Sequence, residues 1–337
     1  MNKLINRLFI IVIILTVAMA EAQSQSGFHV VNTFRIASTG GWDYLEAGPV
    51  NDWLYVSHGT QVNILNKKTG DSVGVIENTT GVHGIAFDVP DKKGFISNGR
   101  LNTVTVFNMD NNKVIAQVAT GQNPDAILYE PFSGKIITCN GRSNNLSVID
   151  PVQNKLVDSV DVGGKPETAV TDGAGKLFVN IEDKNQIVVV DTKTFKVLNR
   201  WSIAPGEGPT GLSFDKETKR LFAGCEKLLM VINAANGKIV DKVPIGDGCD
   251  GTAFDPVTKN IFTSNGEGTL TVIHEDNADK FTVLENVVTK KGARTLALDK
   301  TTHLIYLPTA EFEPMAAGEK GRPKMKPGTF QVLVVGK

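Results

Sequence analysis

The feature that most constrains this chain is a tandem repeat. Seven segments begin alike: Trp42-Asp43-Tyr44-Leu45, Val82-His83-Gly84-Ile85, Pro124-Asp125-Ala126-Ile127, Pro166-Glu167-Thr168-Ala169, Pro209-Thr210-Gly211-Leu212, Cys249-Asp250-Gly251-Thr252 and Ala293-Arg294-Thr295-Leu296. Their second positions are separated by steps of 40, 42, 42, 43, 40 and 44 residues. A four-stranded propeller blade takes roughly 40–45 residues, so the period matches one blade per repeat. Two or three ordinary domains would otherwise be the default for 337 residues.

Within each unit the strands follow one order. The second strand has a branched or aromatic centre, as in Trp53-Leu54-Tyr55-Val56 and Lys176-Leu177-Phe178-Val179. The third alternates, as in Val104-Thr105-Val106-Phe107 and Leu146-Ser147-Val148-Ile149. Such β-branched runs of period two suit half-buried strands. Asn66, Asn108, Asp150, Asp191 and Asn233 close most third strands, where a short polar side chain can hold a turn by bonding backbone two residues on. The fourth strands are amphipathic, as in residues 238–243. The fold class is therefore all-β: a seven-bladed β-propeller with four-stranded blades.

The seventh repeat ends at Lys337 after three strands, and residues 28–36 before the first repeat carry the missing fourth-strand pattern. Placing that segment in the last blade closes the ring and removes both exposed sheet edges. The last repeat also departs from the others. Residues 311–328, between its second and third strands, hold Pro314, Pro323 and Pro327 with Lys320, Arg322, Lys324 and Lys326. A long loop on one face is expected there, and such loops tend to be functional or disordered.

Residues 1–22 read as a secretory signal peptide. Lys3 and Arg7 precede an apolar run over residues 8–20, and cleavage is expected near Ala20 or Ala22. The run is short for a membrane span, and none follows it, so the mature chain (residues 23–337) is expected to be periplasmic or secreted, and monomeric. Formal net charge is −1. That balance gives no reason to expect strong attraction to nucleic acid or an anionic membrane. Cys139, Cys225 and Cys249 form no C-x-x-C pair, which excludes attached haem of the C-x-x-C-H type and the usual zinc frames. An oxidising compartment permits one disulfide, for which Cys225 and Cys249, on adjacent blades, are the candidate pair, with two free thiols or a thiol metal site as the alternatives; Cys139 reads as a small buried residue.

The copies Gly121-Gln122-Asn123-Pro124-Asp125 with Ser147-Val148-Ile149-Asp150, and Gly163-Gly164-Lys165-Pro166-Glu167 with Val188-Val189-Val190-Asp191, carry a recognisable pattern. It resembles the YVTN-type propeller repeat, and the mature chain resembles the bacterial YncE-like secreted proteins. The stretch Tyr306-Leu307-Pro308-Thr309-Ala310 and the return at Pro327-Gly328-Thr329-Phe330 are similar to that group as well. The resemblance implies an exported binding protein, with single-stranded DNA binding in one branch. No catalytic motif comes with it.

Innermost strands line a propeller's channel, so the repeated second position predicts a ring at one mouth: Asp43, His83, Asp125, Glu167, Thr210, Asp250 and Arg294. The ends of the second strands, His58, Asn98, Asn140 and Asn265, are expected at the same mouth. Acid-rich rings with a few cations bind metals, cationic ligands or water. The same residues equally suit a plainer role, satisfying strand ends and channel water. His58, His83, Asp43 and Asp125 are the candidates for a divalent metal. There is no Gly-x-Ser-x-Gly elbow, Walker loop or His-Glu-x-x-His motif. The resulting expectation is a non-enzymatic binding protein that presents a polar funnel to a ligand or an extracytoplasmic protein. The alternatives are a metal-dependent lyase or lactonase, by fold analogy alone, and a single-stranded DNA binder, for which aromatic and basic side chains are thin.

Overall fold

The computed structural model describes residues 27–314 and 323–337. They form seven four-stranded antiparallel sheets. Blade 1 is Trp42–Ala47, Trp53–His58, Gln61–Asn66 and Ser72–Ile76, in that order from channel to rim. Blades 2 to 6 repeat the order. The first strand of every blade touches those of its two neighbours, and the first strand of blade 7 (Ala297–Asp299) touches that of blade 1, so the ring is closed.

The strand order follows from which faces are covered. Second and third strands are apolar on both sides because each blade is sandwiched between two others. Tyr55, Ile64, Phe95, Val106, Phe178 and Val189 have at most 1% of their surface exposed. Fourth strands such as Lys155–Asp161 are exposed nearly throughout, which explains their alternating Lys, Asp and Val. The buried apolar residues divide into seven clusters, one at each seam between adjacent blades. The core is thus a ring of interfaces around a channel. The third-to-fourth turns are held as expected: Asp150 Oδ1 accepts the N–H groups of Val152 and Gln153, both at 2.9 Å, and Asp191 does the same for Lys193 and Thr194.

Closure by the N-terminal segment is present. His29–Arg35 pairs antiparallel with Gln331–Gly336, the third strand of blade 7, with Arg35 opposite Gln331 and His29 opposite Gly336. Phe34 and Ile36 enter the seam between blades 7 and 1, and Phe28 that between blades 6 and 7.

The first strand starts, and the second ends, on one face of the disc, as Pro124 opposite Asn140 shows in blade 3. The long connection of blade 7 leaves from that face. Its two described ends form a short ribbon: Phe312 bridges Met325, and the N–H groups of Glu313 and Lys326 donate to Lys324 and Glu311, both at 2.8 Å. Phe312 lies 6.0 Å from Trp42, which stacks on Phe330 at 5.4 Å. The ribbon therefore stands against Trp42, the residue before Asp43. The leader expected at residues 1–22 lies outside the described residues. Among those described, no helix is long and apolar enough to cross a membrane.

Candidate ligand-binding mouth

The repeated second residue reaches the channel because the backbone bulges there. In blades 1, 2, 3, 4 and 6 the first strand breaks register with the second between Trp42 and Leu45, Val82 and Ile85, Pro124 and Ile127, Pro166 and Ala169, and Cys249 and Gly251. A bulge inserts residues without partners and re-aims their side chains. Asp43, His83, Asp125, Glu167 and Asp250 all sit inside these bulges. Thr210 and Arg294 precede the shorter first strands of blades 5 and 7, Leu212–Asp215 and Ala297–Asp299.

The penultimate residue of the second strand stitches the bulges together, a role the repeat pattern contained but composition did not flag. Ser97 Oγ accepts the Gly84 N–H at 2.8 Å and donates to the Asp125 carbonyl of the next blade at 2.5 Å. Ser264 donates to the Arg294 carbonyl at 2.5 Å. Asn180 Nδ2 bonds the carbonyls of Thr210 and Gly211 at 3.1 and 3.0 Å. Across the ring closure, Thr295 Oγ1 donates to the Asp43 carbonyl at 2.6 Å. Asp43, Asp125, Thr210 and Arg294 are therefore each held at the backbone by a neighbouring blade.

The side chains form one charged network. His83 Nδ1 is 2.5 Å from Asp43 Oδ2 and 3.5 Å from Asp125 Oδ1. Arg294 spans Asp43 at 3.4 Å and Asp250 at 3.2 Å. Lys165 lies 3.2 Å from Glu167 and also bonds Glu182, so these two residues join the predicted ring. Burial, then the charge of Asp43, holds the Asp125 carboxyl well above the usual carboxylate range. Burial and Asp125 do the same to Glu167, against the pull of Lys165. Asp250 is raised by burial to about 6, with Arg294 opposing. For His83, burial works against the charged ring, but the bond to Asp43 and the charges of Asp125, Asp43 and Glu167 outweigh it and lift the imidazole to about 8. Asp125 Oδ1 and Glu167 Oε2 are buried and accept no well-aligned hydrogen bond, their contacts with His83 and Lys165 being ion pairs at 3.5 and 3.2 Å. Tyr44, one residue past Asp43, feels all four acids, and burial and their charges raise its phenol further. It was not anticipated as part of the mouth.

The second-strand ends do not join this network. Asn98 Nδ2 donates to Thr103 and Thr105, Asn140 Nδ2 to Asn145 and Ser147, and Asn265 Nδ2 to Thr269 and Thr271, all within their own hairpins. They pin the second strand to the third. His58 is fully buried, 3.9 Å above the Phe330 ring, with Nε2 on the Gly40 carbonyl at 2.9 Å and Nδ1 at 2.6 Å from Ser38 Oγ. Burial lowers its pKa. Of the expected metal candidates, Asp43, His83 and Asp125 place donor atoms within 4.8 Å of one another, and His58 lies apart from them.

The Cys225–Cys249 disulfide is corrected: all three cysteines are free and buried. The cause is strand alternation, which sends consecutive side chains to opposite faces. Cys225 points into the seam between blades 4 and 5 with Met230 and Ile203. Cys249 lies over the other face, where a Cβ on Gly224 would stand 2.6 Å from its Sγ. Burial pushes both thiols up to about 12.

Below the mouth the channel narrows to a space of about 170 Å³ flanked by Tyr44, Thr168 and Thr252, then widens at the opposite face to about 640 Å³. Phe87, Tyr129, Phe214 and Phe254 line that wider end, with Glu46, Lys216 and Lys300. Burial raises Glu46 to about 7, against Lys300.

No protein-family model matches the chain, and no curated protein matches it. Among solved structures it is similar to hydrazine synthase of Kuenenia stuttgartiensis, with a TM-score of 0.71 and 15% identity over 80% of this chain and 93% of that one. At that identity the likeness is one of fold, the β-propeller.

Proposed function

We propose that this chain is an exported, non-enzymatic binding protein of the YVTN-repeat type, which holds the positively charged part of a ligand or partner in the bulge-lined mouth. The observation that carries this reading is the pair of buried carboxylate oxygens, Asp125 Oδ1 and Glu167 Oε2, that accept no well-aligned hydrogen bond and each face a single cation, His83 at 3.5 Å and Lys165 at 3.2 Å. A buried acceptor without a donor costs about 1–3 kcal/mol. Folds retain such groups where something else completes them. The carboxyl groups of Asp43, Asp125, Glu167, Glu182 and Asp250 outnumber the nearby cations Lys165, Arg294 and His83, and a bound cation would favour the ionised forms of Asp125 and Glu167 that burial and their acidic neighbours oppose. Export rests on the leader pattern of residues 1–22, and the family reading on the repeat motif.

The test is thermal denaturation in chelator at low ionic strength. The probes are spermidine, lysine- and arginine-containing peptides, and neutral and anionic counterparts. Cationic probes are expected to raise the melting temperature. The rise should fade with salt, as partly exposed charge interactions do, and be lost in E167Q/D250N. If no cationic probe stabilises the protein, or if the double variant responds like the wild type, the reading fails.

A further inference from the structure

We propose that Asp43, His83 and Asp125 form a seat for a transition-series divalent cation, with part of its coordination sphere open toward the mouth. This deepens the reading of the mouth as a cation site and rests on it.

Three features of the chain converge. The first is spacing. Donor atoms around a tetrahedral or octahedral ion at about 2.0–2.2 Å stand roughly 3–3.4 Å apart. The observed 2.5 and 3.5 Å separations from His83 Nδ1 to the two carboxylates bracket that value. Three donor residues from three consecutive blades lie within 4.8 Å of one another.

The second is orientation. The imidazole edge bearing Nε2 lies against Gly99, where a Cβ would come within 2.5 Å of Nε2 and 2.7 Å of Cδ2. Gly99 has an ordinary backbone conformation, since its φ is not among the positive ones. The glycine there makes room for the ring, and the ring then turns Nδ1 to both acids. The third is an unfilled valence. Asp125, 9% exposed, directs a buried oxygen at this point without accepting a well-aligned hydrogen bond. One imidazole with two carboxylates favours zinc, manganese or cobalt over calcium, which takes oxygen donors alone. Arg294 stands beside the triad, 3.4 Å from the second oxygen of Asp43, where it could meet the anionic end of a bridging ligand.

The test uses the full mature chain, stripped with chelator and dialysed. With Mn²⁺ added, the ring protons of His83 should broaden first among the five histidines, while those of exposed His29 stay sharp. Zn²⁺ or Mn²⁺ should raise the melting temperature by several degrees, and Ca²⁺ should not. D125N should weaken Zn²⁺ binding by about 100-fold or more, and G99A, which touches no donor oxygen, by about tenfold. H29A should bind as the wild type does. If D125N does not fold, the Mn²⁺ broadening in the wild type decides alone. Broadening that spares His83, or equal Zn²⁺ affinity in wild type and D125N, overturns the proposal. Loss of the metal with retention of cationic probes in chelator would remove this site and leave the proposed function standing.

Discussion

At the scale of single residues, Gly224 shows how a repeat records packing. Blades 1, 2 and 6 carry serine at the penultimate position of the second strand (Ser57, Ser97 and Ser264), and these hydroxyls hold the neighbouring bulges. Blade 5 has glycine. Its missing Cβ is the space occupied by Cys249 Sγ and Thr252 Oγ1, which a Cβ would approach to 2.6 and 2.7 Å. Restoring the repeat's serine with G224S should therefore destabilise the protein by about 1–3 kcal/mol, because the seam is already filled. Removing the sulfur as well, in G224S/C249A, should recover part of that loss. Urea denaturation of the four proteins in the cycle measures it. Additive effects, with no coupling beyond about 0.5 kcal/mol, would show that the two side chains do not compete for this space.

At the scale of elements, the strand with the most leverage is His29–Arg35. It joins the chain's two ends without a covalent bond and buries Phe28, Phe34 and Ile36 in two seams. Each of those side chains is worth about 1.5–3 kcal/mol in buried apolar surface. Their sum rivals the whole stability of an ordinary domain, about 5–15 kcal/mol. Removing residues 28–36 should lower the melting temperature by more than about 10 °C, and a synthetic peptide of that segment should restore it by strand addition. An unchanged melting temperature after truncation would mean that the ring does not depend on this closure. The element scale also marks how far the sequence could be read. Strand order, closure and the mouth residues were legible because each recurs at a fixed offset. Second-strand ends recur at a fixed offset too, yet Asn98, Asn140 and Asn265 bond within their own hairpins. A repeat offset reports position along a strand, whereas the direction of a polar side chain depends on which hydroxyl stands opposite. The expected disulfide failed for a related reason: adjacent blades brought the cysteines near, but a sheet lies between them. Tyr44 and Lys165 belong to single blades and left no periodic trace, whereas Glu182 stands just past a second-strand end, at a position that recurs.

For the whole molecule, the balance of buried acids sets how stability responds to pH. Burial raises Glu46 and Glu275 to about 7 and Asp250 to about 6, and raises Asp125 and Glu167 as well. A carboxylate whose folded pKa exceeds its unfolded one binds its proton more tightly when folded. Its contribution is full below the unfolded value and is lost as pH rises through the folded value. His83, lifted to about 8, acts in the same direction, since the folded state retains a proton that the unfolded state has released. A second set of acids works at the other end. Asp215, Asp255 and Asp299 lie at first-strand ends and are held low by backbone N–H groups and threonine hydroxyls, although burial opposes this. Their contribution is present above the ordinary carboxylate range and lost below it. Stability in chelator should therefore peak near about pH 5, the lower edge of the window set by the raised groups, and fall steadily toward about pH 8. The variant D125N/E167Q/E275Q replaces three of the raised acids with neutral amides of the same shape. It should lose much of that slope while keeping the decline below about pH 4, which the first-strand aspartates produce. Melting curves across the range distinguish the two limbs. A wild-type melting temperature that stays level or climbs from about pH 5 to 8 would show that these carboxyls ionise freely in the folded ring, and that the mouth is too well solvated to favour a cation over water.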